Sequence, residues 1–91
     1  MASTYKKKRI PDGERRRVAI KYGLVCGDRK EIPCHYCGSI GIAHWFEGRS
    51  WVAFQDLEMD HVFPESLGGL GVAENIVLAC RACNRSKGTK I

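Results

Sequence analysis

The chain predicts a small α+β domain clamped by a metal ion, on three observations. Two C-x2-C pairs, "CHYC" at Cys34 and Cys37 and "CRAC" at Cys80 and Cys83, stand 42 residues apart. Between them, Ile40 to Phe63 is rich in β-branched and aromatic residues and alternates apolar with polar positions from Leu57 to His61, the period of a strand with one face covered. Helical patterns stand on both sides, one before the first cysteine pair and one starting near the second.

Ninety-one residues make one domain near the lower limit at which apolar burial alone offsets the entropy of ordering a chain, so a cross-link is expected. The cysteine pairs supply it. A short C-x2-C turn places two thiolates on one tetrahedral ion and the second pair completes the set, which is the spacing of a structural zinc site. A disulfide framework would leave Cys26 over, and no apolar leader or bilayer-length apolar run points to export. The expectation is an intracellular, cytoplasmic protein with structural Zn2+ and no membrane partner. Fifteen Lys and Arg against ten Asp and Glu leave a formal charge of +5, a balance suited to nucleic acid, although a merely soluble basic domain has the same charge.

Residues 1–10, with Lys6, Lys7, Lys8 and Arg9, read as a basic disordered arm that reaches a phosphate backbone or simply solubilises the chain. Residues 11–91 read as the single domain, with its core in residues 34–88. In "PDGERRRVAIKYG" Asp12 is the expected N-cap and Gly23 the stop. With so few apolar residues this helix packs one edge on the core and turns Arg15, Arg16, Arg17 and Lys21 outward as candidate nucleic-acid contacts.

"CHYCG" reads as a zinc knuckle in which Gly38 supplies the tight turn that lets backbone amides face the sulfurs. Ile40 to Phe63, interrupted by "EGRS", reads as a β-hairpin or two strands, with Trp45, Phe46, Trp51 and Phe54 in its apolar contacts. Core packing is the commoner fate of such tryptophans than stacking on a nucleobase. His44 reads as a structural histidine, His35 as solvent-facing and Cys26 as a small buried residue. A loop, a brief strand "IVLA" and a last helix follow. On that helix Cys80, Cys83, Asn84 and Lys87 share one face, at i, i+3, i+4 and i+7, so the metal would hold Asn84 in place. Arg81, Arg85 and Lys90 lie to the side, and these two arginines and Lys87 read as phosphate contacts or as solvated groups.

Asp60 and His61 stand where the alternating strand must stop, just before Pro64, Gly68 and Gly69. Taken alone they read as turn residues. Together with the rest of the chain they read differently: C-x2-C, "MDHVFPESLGG", "ENIV" and "CRACNRSKG", in that order, resemble the HNH nuclease family in the branch that carries a four-cysteine zinc site. The resemblance runs from Cys34 to Gly88. It implies a ββα-metal (His-Me finger) fold, in which two strands and a helix surround one catalytic divalent cation, and hydrolysis of phosphodiester bonds in DNA. Within it His61 takes the place of the first family histidine, Asp60 the preceding acidic position, Asn75 the central asparagine that braces the His61 loop, and Asn84 the last histidine position. The resemblance then makes Asn84 a variant in which an amide oxygen serves as metal ligand.

The physical chemistry of the residues agrees with that implication. Neighbours on a strand point in opposite directions, so Asp60 can hold a cation near the leaving oxygen while His61 faces the attacking water as general base. An imidazole, with an ordinary pKa of about 6.5, suits that role at neutral pH. Asp60 and Asn84 offer hard oxygen donors that suit Mg2+ or Mn2+. Asn75 reads almost as well as an asparagine ending a turn. A second class of function fits the same charge and zinc site: a non-catalytic nucleic-acid-binding module, which does not require Asp60, His61 and Asn84 to converge. The resemblance also leaves room for a partner protein of a packaging, repair or restriction system in a bacterial or phage-infected cell.

Overall fold

A computed structural model describes residues 10–48 and 51–87, with the last of these described by its backbone alone. The basic arm at Lys6 to Arg9, the end of the "EGRS" turn, the side chain of Lys87 and Lys90 lie outside the described residues.

Helix α1 (Asp12–Lys21) begins at Pro11, whose fixed φ of −58° and extended ψ of 147° make it the capping residue, and whose carbonyl accepts the Arg15 N–H at 3.0 Å. Asp12 is therefore the first helical residue and not the N-cap expected of it, and no side chain caps the helix. Asp12 and Glu14 instead place two carboxylates in the first turn, where the helix dipole favours them. Val18 and Ala19 form the buried edge of α1. Gly23, at φ +91°, lets the chain reverse into Leu24.

Three strands, β1 (Arg29–Pro33), β2 (Ile40–Phe46) and β3 (Trp51–Gln55), form an antiparallel sheet in the order β1-β2-β3. The expected hairpin is the β2–β3 part of it. β1 adds a strand that the sequence hides, since only Ile32 of its five residues is buried and no alternation shows. Across the sheet Ile32 faces Gly41 and Ala43 faces Phe54. Gly41 has no substitute there: a Cβ would run into the Leu57 side chain and lie 2.7 Å from the Gln55 carbonyl oxygen. Trp45 and Phe54 pack on the core as expected, but Phe46 and Trp51 pair at the open end of the sheet and stay partly exposed.

Strand β4 (Glu58–His61) does not continue that sheet. It pairs antiparallel with β5 (Ile76–Ala79), setting Asp60 opposite Val77 and His61 opposite Ile76. All of β5 is buried. Helix α2 (Arg81–Lys87) follows at once and packs back on β4, so β4, β5 and α2 form a ββα unit. The core joining the two sheets consists chiefly of Val18, Leu24, Ile32, Val52, Ile76 and Leu78. Cys26 lies outside it and is exposed, contrary to expectation. Asp28 explains this: it closes a tight turn by accepting the Val25 N–H at 2.9 Å, which leaves Cys26 at the tip. Among the described residues no helix is long and apolar enough to cross a membrane.

Candidate active site and metal centre

The two cysteine pairs meet. The sulfurs of Cys34, Cys37, Cys80 and Cys83 all lie within 4.8 Å of one another, and those of Cys37 and Cys80 are 3.7 Å apart. Four thiolates bonded at about 2.3 Å to one tetrahedral ion stand roughly 3.8 Å from each other, so the cluster has the size of a zinc-binding group. The turns prepare it chemically: the amides of Tyr36 and Cys37 point at the Cys34 sulfur, at 3.4 and 3.5 Å, and that of Cys83 at Cys80, at 3.4 Å. Burial pushes the Cys34 thiol up, but these and neighbouring backbone donors outweigh it and bring the thiol down to about 6. The sulfurs of Cys80 and Cys37 crowd Cys83 and push it up to about 12. The His35 N–H donates to the Leu78 carbonyl at 2.9 Å, tying the knuckle to β5.

The Asp60–His61 pair sits at the end of β4 beside this cluster. Both residues are buried, at 5% and 8% exposure, which is unusual for such side chains and requires polar company. They find it on opposite sides of the strand. Asp60 accepts a hydrogen bond from the Tyr36 hydroxyl through Oδ2 at 2.7 Å, on the zinc side. Burial, then the bond to Asp60 and its charge, push the Tyr36 phenol above its ordinary range, so it is the donor at neutral pH. His61 faces the following loop, with Nε2 3.9 Å from Glu65 Oε2. Asn84, on α2, donates from Nδ2 to Glu58 Oε1 at 2.8 Å. Glu58 and Asp60 are two apart on β4 and share one face, so α2 brings Asn84 to the face that carries Asp60.

Asn75 closes the loop after His61. Its Oδ1 accepts the Phe63 N–H at 2.8 Å, and its Nδ2 donates to the carbonyls of Phe63 at 3.1 Å and Leu70 at 2.9 Å. The Val62 N–H adds a bond to the Asn75 carbonyl at 2.8 Å.

Helix α1, read from sequence as a row of outward cations, engages several of them with groups of the protein itself. Lys21 Nζ donates to the carbonyls of Ala73 at 3.1 Å and Ile76 at 2.6 Å, Glu14 Oε1 accepts the Ala73 N–H at 2.9 Å, and Arg17 binds Glu74 and Glu14. The Leu78 N–H donates to the Tyr22 hydroxyl at 2.9 Å. Arg15 lies over the rings of Trp51 and Phe54, at 4.6 and 4.8 Å, with Nε donating to the Val52 carbonyl. Arg15 is thus partly covered and not turned outward as expected, while Lys21 stays exposed as expected but spends its ammonium on two carbonyls: acceptors and aromatic faces near a short helix on a small core recruit the nearest cations. Arg81 and Arg85 are exposed on α2.

Tyr36, Glu58 and the α1 clamp escaped the sequence. Tyr36 could have been suspected from its place between two metal ligands, and Glu58 from its spacing to Asp60 on a strand; the clamp leaves no local signal because its partners are more than fifty residues away.

An antiparallel strand pair and a helix, joined to a four-cysteine zinc-binding group, place this molecule among nuclease-type ββα-metal domains. The sequence model of the HNH endonuclease family matches residues 34–90, more than half of the chain, and the chain belongs to that family. Over 61 residues, 66% of the chain, it is 36% identical to "CRISPR-associated endonuclease Cas9" of Corynebacterium diphtheriae, and the match spans 5% of that protein's length. No solved structure matches the chain.

Proposed function

We propose that the chain is a metal-dependent endonuclease that hydrolyses phosphodiester bonds in DNA, with His61 as general base and a divalent cation, Mg2+ or Mn2+, at Asp60 and Asn84. The observation that carries this reading is the buried Asp60–His61 pair at the exit of β4, with its two side chains served from opposite sides of the strand.

Hydrolysis by in-line displacement needs a proton taken from water on one side of the phosphorus and charge neutralised at the oxygen leaving on the other. The Glu65 carboxylate, with Oε2 3.9 Å from Nε2, faces one edge of the His61 ring, and the imidazole takes the water proton as general base. Asn75 fixes the backbone that follows His61 and so limits how far the ring can stray from the water. The donor set on the other face fits a hard cation: a buried carboxylate, and an amide whose nitrogen is engaged by Glu58 so that its oxygen is the remaining ligand atom. When bound there, the cation supplies Lewis-acid neutralisation of the phosphate and of the leaving oxygen.

Residues 11–91 would act as the domain, with the arm at 1–10, Arg81, Arg85 and Lys87 adding phosphate contacts that carry no base information. Thiolates that bind zinc must stay reduced, which supports an intracellular, cytoplasmic setting.

The test is nicking of supercoiled plasmid by zinc-loaded protein with Mg2+, Mn2+ or a chelator that spares the tightly held zinc. Cleavage in the cation arms alone supports the reading. Retention of plasmid on a gel without cleavage in any arm would instead favour a binding module.

A further inference from the structure

The zinc cluster and the proposed cation site are not merely neighbours. Each cysteine pair contributes one side chain to the same face of β4. Tyr36, inside the first pair, donates its hydroxyl to Asp60 Oδ2 at 2.7 Å. Asn84, the residue after Cys83, donates Nδ2 to Glu58 Oε1 at 2.8 Å. Glu58 and Asp60 are the two residues of that face, two apart on a four-residue strand.

We propose that Tyr36 and Glu58 are positioning residues for the catalytic cation, Tyr36 by fixing the Asp60 carboxylate and Glu58 by fixing the Asn84 amide. The inference rests on the cation reading given above and deepens it. A carboxylate has two equivalent oxygens and a soft terminal torsion, so a ligand that must keep one geometry needs something to hold it. The Tyr36 phenol takes Oδ2 and thereby sets the plane in which the carboxylate presents itself. The Tyr36 backbone is itself fixed, since its N–H points at the Cys34 sulfur, so the zinc turn determines where the hydroxyl lies.

Glu58 does the corresponding work on the other ligand. An asparagine amide can be flipped by half a turn, which exchanges the oxygen that binds a cation for a nitrogen that does not. A carboxylate accepts only, so Glu58 admits the Nδ2 end and leaves Oδ1 for the cation. The Asn84 backbone is anchored by its N–H bond to the Cys80 carbonyl at 2.9 Å, again within the zinc-binding turn. The zinc ion would therefore act at a distance, through one phenol and one amide, on the affinity of a second metal.

The experiment measures Mn2+ binding to the zinc-loaded chain by electron paramagnetic resonance without DNA, beside plasmid cleavage as a function of Mn2+. The variants are Tyr36→Phe, which keeps the ring and removes the hydroxyl, and Glu58→Gln, whose amide no longer enforces one orientation of Asn84. Loss of such supporting bonds typically weakens metal affinity by about 10-fold or more. The expected result is a rise of roughly that size in the Mn2+ dissociation constant for each variant, with cleavage largely restored at saturating Mn2+, and with zinc content and thermal midpoint as in the parent. Unchanged Mn2+ binding in both well-folded variants, beside a parent that binds Mn2+ and cleaves, overturns the positioning role and leaves the nuclease reading standing. A parent that neither binds Mn2+ nor cleaves overturns both.

Discussion

Asn75 grips Phe63 from both sides of one residue, accepting its N–H and donating to its carbonyl, across 12 positions of sequence. The same amide reaches the Leu70 carbonyl, so one side chain fixes both ends of the loop that leaves His61. Asn75→Ala removes these three bonds. At about 1 kcal/mol net each, the domain should lose roughly 2–3 kcal/mol of stability, and the cleavage rate should fall much further than DNA affinity. Urea unfolding and single-turnover cleavage measure the two effects separately.

Lys21 separates two readings of the basic helix. Its ammonium is engaged by the carbonyls of Ala73 and Ile76, which flank Asn75. Lys21→Met should therefore slow cleavage and lower stability by about 1–2 kcal/mol while leaving the salt dependence of DNA binding as it is. A phosphate contact would behave otherwise, reducing the slope of log K against log salt by about 0.9. Binding titrations at several salt concentrations show which applies.

What the sequence reveals here is local chemistry repeated at fixed spacing. The cysteine pairs announce themselves because a spacing of three residues lets one turn present two thiolates to one ion, and α2 is visible because Cys80, Cys83 and Asn84 share its face. Strand β5 shows as "IVLA" because both its faces are covered. β1 does not show, since it is an edge strand whose single buried residue, Ile32, makes no pattern. The capping of α1 misled for a related reason: Asp12 is a good capping residue by type, but Pro11 already imposes the required backbone. The roles of Lys21 and Arg15 depend on carbonyls and rings supplied by residues far along the chain, so a row of cations looked like a binding face. Asp60 and His61 were legible as a pair; Tyr36, Glu58 and Glu65, which give them their surroundings, became visible only when the strands were paired.

Zinc removal should unfold the ββα unit as well as the knuckle. The thiolates come from both ends of a 42-residue separation, and the Cys83 turn carries α2. Zinc binding in such modules is worth roughly 10 kcal/mol of folding free energy, more than a domain of this size can lose. Cys83→Ser, or a strong chelator, should abolish the cooperative thermal transition seen by circular dichroism, and added zinc should restore it in the chelated parent alone.

Gly69 marks the tightest point of the loop. A Cβ there would collide with the Phe63 carbonyl oxygen and lie 2.9 Å from that of Pro64, and both are backbone atoms that cannot swing aside. Gly69→Ala should displace the segment held by Asn75 and reduce cleavage by at least 10-fold, an effect of about 1.4 kcal/mol on the barrier. Gly71→Ala is the control: its Cβ would meet Ile10 and His61 at 3.6 and 3.7 Å, ordinary contact distances, and activity should largely survive.

Single-turnover cleavage of plasmid by the parent and by His61→Ala, at saturating DNA and Mn2+ and with equal zinc content, is the most direct measurement. Removal of the general base should slow the chemical step by 100-fold or more while DNA affinity holds. Equal rates in the two proteins would contradict the assignment of His61, and with it the proposed route of hydrolysis.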